Sequence, residues 1–173
     1  QGFEEFFGFC SGHWNNYFDT ELEHNGKPVA TRGFITDVLT DQAIDFVKSK
    51  SAAEQPFFCY VPYNAPHSPW QVPDHYYKKY LDLGLPPTTA CAYGMVENLD
   101  ENIGRLMDAL KETGVYENTI VVFLTDNGPN SDRFNGGMRG RKGSVHEGGV
   151  RVPLFIQWPR KIESGRVVEP IAM

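Results

Sequence analysis

The run Thr119-Ile120-Val121-Val122-Phe123-Leu124-Thr125 is apolar on both alternating faces, and it closely follows the clearest helical periodicity in the chain. A strand apolar on both sides asks to be covered on both sides, as strands are in parallel sheets with helices on each face. The helix before it is predicted from about Thr89 to Thr113, with Met95, Val96, Leu99, Ile103, Leu106, Met107 and Leu110 on one face. Gly114 is its natural stop. Glu97, Asp100 and Glu101 in its first half, with Arg105 and Lys111 in its second, suit the helix dipole.

The same order occurs upstream. Ile35, Val38, Leu39, Ala43, Phe46 and Val47 recur at helical spacing and predict a helix from Thr36 to about Lys50. Gln55-Pro56 punctuates the chain, and the apolar block from Phe57 to Val61 has the length and composition of a buried strand. A third strand is predicted within Val150 to Trp158. Residues 1–32 show no sustained period and read as irregular connections, with a short hairpin around Asn25-Gly26. Pro62 to Pro87 reads as a long loop holding a helical piece near Asp74 to Tyr80. Helices alternating with strands imply an α/β fold, a mainly parallel sheet flanked by helices.

Composition bounds the function. The 173 residues, 40% hydrophobic and 13% aromatic, suffice for one ordinary domain, and no linker or repeat divides them. The net charge of -6 comes without long runs of either sign, which disfavours a nucleic-acid surface. No stretch of about 18 apolar residues suggests a membrane span. Cys10, Cys59 and Cys91 form no CxxC pair and have no metal-ligand spacing with His, so zinc is disfavoured, and Cys59 reads as a buried, inert thiol. The chain opens without Met and stops within the apolar run Pro170-Ile171-Ala172-Met173, so residues 1–173 are expected to be one domain truncated at both ends.

In open parallel sheets the binding crevice lies beyond the carboxyl ends of the strands, so the loops after Val61 and after Thr125 are expected on one rim. The second loop begins Asp126-Asn127-Gly128. An adjacent carboxylate and carboxamide offer two hard oxygens suited to Ca²⁺ or Mg²⁺, although the same residues also suit a turn. Farther on come Arg139-Gly140-Arg141-Lys142-Gly143 and Glu147-Gly148-Gly149-Val150-Arg151-Val152-Pro153. Glycines there let backbone N–H groups approach an anion beside three cationic side chains, although a solvated basic loop has the same composition. The first loop holds His67 between Pro66 and Pro69, which stiffen the backbone around its imidazole.

Taken together, a strand ending in Thr125-Asp126-Asn127-Gly128-Pro129, the Arg139–Gly143 segment, Glu147–Pro153 and an apolar strand closing in Trp158-Pro159 resemble the sulfatase family of the alkaline-phosphatase-like superfamily. Gly2 to Gly8, Gly33 to Phe46, Phe57 to Pro69 and Met95 to Leu110 resemble further family segments in the family's order. The resemblance implies hydrolysis of aryl or carbohydrate sulfate esters, assisted by a divalent cation, usually calcium. It assigns Asp126 and Asn127 as metal ligands, and Lys142 and His67 as sulfate-binding residues with one of them a possible general acid. The family's nucleophile is a formylglycine made from Cys or Ser in a CxPxR-like motif. No cysteine here has Pro and Arg at that offset, so the motif and two further aspartate ligands are expected upstream of the part matched here.

Two other expectations stand beside a sulfatase that is active when complete. One is a phosphate mono- or diester hydrolase of the same superfamily, since phosphate and sulfate share tetrahedral geometry. The other is a chain that is non-catalytic by itself. His67, the Asp126-Asn127 pair and Lys142 are expected to converge on one anion pocket. Family habit implies a periplasmic, secreted or lysosomal location. Oligomeric state leaves no trace in the sequence.

Overall fold

A computed structural model describes residues 2–12, 14–131 and 133–169, and the apolar end from Pro170 to Met173 lies outside the described residues. The chain divides into two compact units, Gln1–Thr113 and Gly114–Met173.

In the first unit, β1 (Phe7–Gly8), β2 (Glu21–His24) and β3 (Lys27–Ala30) form an antiparallel sheet in that order. Asn25 and Gly26 sit between paired His24 and Lys27 at φ of 50° and 83°. Two consecutive positive φ values make the tight turn whose twist matches a hairpin, so the Asn-Gly signal gave the correct element. Helix α1 spans Ile35–Ala52, and Ile35, Leu39, Ala43 and Val47 are buried at four-residue spacing. Helix α2 (Asp74–Asp82) and helix α3 (Pro87–Glu112) follow, and α3 packs on both α1 and α2. Pro87 opens α3, where the missing N–H costs nothing because no intrahelical acceptor exists for it.

The face α3 buries is not the apolar stripe alone. Met95, Asn98, Asn102, Ala109 and Leu110 are buried, while Val96 is exposed. The two asparagines are drawn inward by Asp37 of α1, whose Oδ1 accepts from Asn98 Nδ2 at 2.9 Å and from Asn102 Nδ2 at 2.7 Å. Asn102 Oδ1 in turn accepts from Arg105 Nη1 at 2.7 Å. Paired in this way both amide nitrogens are satisfied, and their burial costs far less than it would for lone donors.

The block from Phe57 to Val61 was expected to be a buried strand, and the structure corrects this. No ladder forms there, and Phe58 and Tyr60 are 73% and 67% exposed. Phe57 instead meets Phe46 of α1 edge-on, and Phe58 lies against Phe3. Apolar composition makes a strand only where a neighbouring strand supplies hydrogen bonds, and none lies beside this segment among the described residues.

In the second unit, β4 (Val121–Leu124) follows a 3₁₀ turn at Tyr116–Asn118 and pairs with β5 (Leu154–Gln157) in the register Val121↔Gln157 to Leu124↔Leu154. Both strands lie where they were expected, and the chain mixes helices with strands, but α1, α2 and α3 follow one another with no strand between them. The sense of pairing differs: every described ladder is antiparallel, so the parallel neighbours implied by the crossovers are not among the described strands. A parallel pairing needs a full crossover helix, whereas the described residues between β4 and β5 form no helix beyond the single turn α4 (Glu147–Val150). Val122, Leu124, Phe155 and Ile156 remain exposed on this ladder.

Replacing Asp37 by Ala takes one acceptor from each of two buried amides, which keep the Tyr76 hydroxyl and the Asn98 carbonyl as their others, and is expected to cost about 2 kcal/mol, the low end of roughly 1–3 kcal/mol per lost acceptor. Urea unfolding followed by circular dichroism measures it. A loss under about 0.5 kcal/mol would show that Asp37 does not hold the α1–α3 packing.

Candidate active site

The end of β4 delivers Thr125, Asp126 and Asn127 into a loop that the following residues fold back to meet. Three backbone hydrogen bonds join the pieces. Gly128 N–H donates to the Gly149 carbonyl at 3.0 Å, Lys142 N–H to the Pro129 carbonyl at 2.8 Å, and Gly148 N–H to the Arg139 carbonyl at 2.8 Å. The Asp126-Asn127 pair and Lys142 are therefore gathered into one loop cluster, although they are far apart in sequence. Asp126 and Lys142 are exposed and Asn127 is half-buried, which suits groups that must reach a ligand.

Glycine makes this approach possible. A methyl group on Gly128 would overlap the Gly148 carbonyl, one on Gly148 would overlap the Gly140 carbonyl, and one on Gly149 would overlap the carbonyls of Ser144 and Arg141. Gly148 and Gly149 are buried. The glycines read in the sequence as freeing the backbone to approach an anion are thus consumed largely in letting backbone approach backbone.

Asp126 and Asn127 fit a hard cation chemically, since both present oxygen and neither is a soft donor. Among the described residues no group of three or more His, Cys, Asp or Glu side chains could hold a metal ion.

His67 belongs to the first unit, where its surroundings are well defined. Its N–H donates to the Asn64 carbonyl at 2.9 Å. Its Nδ1 lies 2.7 Å from the Ser68 carbonyl, which can only accept, so the proton there sits on Nδ1. The imidazole is exposed and its orientation is set by that bond. Beneath the loop, the fully buried Tyr17 donates its hydroxyl toward the carbonyls of His67 at 2.7 Å and Asn64 at 3.1 Å. Burial, with a smaller contribution from Cys91, pushes the Tyr17 hydroxyl well above its usual range, so it remains a donor. Gln71 Oε1 accepts from Tyr17 N–H at 2.9 Å and secures the arrangement. Tyr17 lies in the segment read as irregular, and no periodicity could have singled it out.

His146 and the cysteines, to which no role falls, have bland surroundings. His146 precedes α4, with its carbonyl accepting from Gly149 at 2.8 Å. Cys59 is half-buried; burial first and the Glu5 carboxylate second push its thiol up, and burial does the same for Cys91.

A family model described as Sulfatase matches residues 1–172. The chain is 36% identical over 170 residues to the uncharacterized sulfatase YdeN of Escherichia coli K12, covering 95% of this chain and 30% of that protein. It is 34% identical over 140 residues to the N-acetylgalactosamine-6-sulfatase of Canis lupus familiaris, covering 77% of this chain and 25% of that one. Among solved structures, that of Ps i-CgsB in complex with k-i-k-neocarrahexaose superposes with a TM-score of 0.88 at 35% identity, covering 95% of this chain and 41% of that one. The chain thus spans well under half the length of these relatives.

Replacing Gly128 by Ala is expected to force the loop cluster apart at a cost of about 1–3 kcal/mol, the usual range for overpacking. Thermal unfolding measures the loss, and a neutral substitution would contradict the close approach to Gly148. In a short iodoacetamide pulse at about pH 8, exposed Cys10 should be alkylated before Cys59 and Cys91, because a raised thiol pKa leaves less thiolate at a given pH. Peptide mass spectrometry orders the three.

Proposed function

Because this chain belongs to the sulfatase family, we propose that the complete enzyme hydrolyses sulfate esters of carbohydrates and that Asp126, Asn127, Lys142 and His67 serve that reaction. The observation that carries the reading is the backbone junction that sets Lys142 beside Asp126-Asn127-Gly128-Pro129 in one glycine-packed cluster. A carbohydrate substrate is favoured over an aryl one because the similar structure at 35% identity was solved with an oligosaccharide, and an N-acetylgalactosamine-6-sulfatase is 34% identical.

Sulfatases are metal-dependent. In this reading the Asp126 carboxylate and the Asn127 carboxamide hold part of the shell of a calcium ion, with magnesium as the other hard-cation choice. When bound, that ion supplies positive charge at the sulfate oxygens, and a formylglycine from the remainder of the enzyme supplies the nucleophile.

The chain's own residues do the rest. Cleavage of a sulfate monoester moves negative charge onto the sulfuryl and leaving-group oxygens. Lys142 places a fixed ammonium against a sulfate oxygen, which lowers the barrier because its position is set before reaction. In support of this reading, the backbone bond to Pro129 fixes the point from which the Lys142 side chain extends. His67, with Nδ1 committed to the Ser68 carbonyl, turns Nε2 to the ligand, holding a sulfate oxygen or passing a proton to the departing alcohol.

In the complete enzyme, Lys142→Ala should lower kcat/KM for a sulfated oligosaccharide about a hundredfold, or roughly 3 kcal/mol, by analogy with loss of one oxyanion donor. Sulfate release measured by ion chromatography tests this. No release from any sulfated saccharide by the complete, formylglycine-bearing enzyme would defeat the proposal, and an unchanged rate in the variant would remove Lys142 from it.

A further inference from the structure

The sequence holds three Asn-Gly steps, at Asn25-Gly26, Asn127-Gly128 and Asn135-Gly136. An asparagine followed by glycine can close a ring on itself, because glycine has no side chain to keep its backbone nitrogen away from the preceding carboxamide carbon. The structure holds two of these steps shut and leaves the third open.

At the hairpin, Gly26 N–H donates to Glu23 Oε1 at 3.1 Å, and Asn25 Oδ1 accepts from Phe6 N–H at 2.8 Å. The attacking nitrogen and the carboxamide are both engaged. At the candidate active site, Gly128 N–H donates to the Gly149 carbonyl at 3.0 Å, and the Gly148 carbonyl occupies the place a side chain on Gly128 would take. This step is packed as well as bonded.

At Asn135-Gly136 the surroundings differ. Gly136 is exposed at φ of 71°, and nothing lies within 4 Å of where its side chain would stand. Among the described residues no acceptor takes its N–H. Asn135 Nδ2 donates to the carbonyls of Met138 at 2.8 Å and Gly140 at 3.1 Å, which fixes the nitrogen that leaves when the ring closes. Its Oδ1, where negative charge develops, has no partner among the described residues and is open to water.

We propose that Asn135 is a site of self-modification. The Gly136 nitrogen bonds to Cγ of Asn135, the Cγ–Nδ2 bond breaks, and the Gly136 proton departs with Nδ2 as ammonia. Water then opens the succinimide at either carbonyl, giving aspartate or isoaspartate. Carboxamide and water become carboxylic acid and ammonia, and no oxidant or cofactor enters.

The product undoes a tie in the loop that leads to Lys142. That loop is closed at its base by Lys142 N–H donating to the Pro129 carbonyl, and the Asn135 carboxamide ties it internally. A carboxylate at position 135 has no N–H to give and sets negative charge against the two carbonyls that the amide held. The segment before Lys142 therefore loosens as the protein ages. The site stands on hydrogen bonding alone and needs no assumption about the reaction.

The 173-residue chain is incubated in mildly alkaline buffer, once native and once unfolded in urea, and peptide mass spectrometry with isoaspartate-specific methylation follows the three sites. Unfolded, the three should convert at similar rates, since each is the same dipeptide. Native, Asn135 should convert about tenfold faster than Asn25 or Asn127, the rate equivalent of one hydrogen bond that must open first. In Asn135→Asp, trypsin should cut after Arg139 and Arg141 several-fold faster than in the unmodified chain, with cleavage after Lys50 in α1 unchanged. Equal native rates at the three sites, or Asn25 or Asn127 leading, would overturn the proposal. Cleavage unchanged in Asn135→Asp, or raised equally after Lys50, would overturn the local loosening.

Discussion

The contact on which the rest of the second unit depends is backbone against backbone, where Gly128 meets Gly148 and Gly149. One hydrogen bond joins them, from Gly128 to the Gly149 carbonyl at 3.0 Å, and no side chain fits between. Through this junction the end of β4 is locked to α4. Through Lys142 and Gly148 the basic segment between is locked to both. The arrangement converts a long, glycine-rich loop, which would otherwise carry a large conformational entropy, into a cluster able to hold charged groups in fixed places. Preorganised charge is what stabilises a developing anion, so the packing of four glycines is the structural basis of the proposed chemistry.

The first unit achieves rigidity by other means. Tyr17 and Asp37 are single side chains that each satisfy two partners across long sequence separations. Tyr17 reaches the loop carbonyls around His67, and Asp37 reaches two asparagines of α3. Both are polar groups inside packed surroundings, where an unmet partner is costly and a met one specifies a unique geometry. The imidazole of His67 inherits that order, since the backbone beneath it is held by Tyr17 and its ring by the Ser68 carbonyl. The two units thus offer different solutions to one problem, the presentation of an exposed functional group from a loop that does not drift.

Much of the architecture was legible from local pattern. The spacing of Ile35, Leu39, Ala43 and Val47 placed α1, Asn25-Gly26 placed the hairpin, and the apolar blocks placed β4 and β5, because each signal belongs to residues within a few positions of one another. Phe57 to Val61 misled for the same reason. Its composition is that of a strand, but strand formation depends on a neighbour that local sequence does not contain. Val96 was placed inward on the α3 stripe while Asn98 and Asn102 were passed over, since hydropathy counts an asparagine as polar whatever stands opposite it. Of the candidate site, Asp126, Asn127, His67 and Lys142 were picked out by the type and order of their motifs, whereas Tyr17 and Gln71 had no pattern to reveal them.

What the sequence by itself determined is the family and the residue types at stake. A run of short motifs in fixed order is specific, and the match over residues 1–172 bears this out. What only the tertiary structure decided is which glycines touch, that β4 and β5 run antiparallel, and that Asp37 and Tyr17 hold the first unit together. Each of these is a relation between segments separated by dozens of residues. A chain records the chemistry of its groups position by position, but close approach, pairing sense and burial exist only once distant segments meet in space.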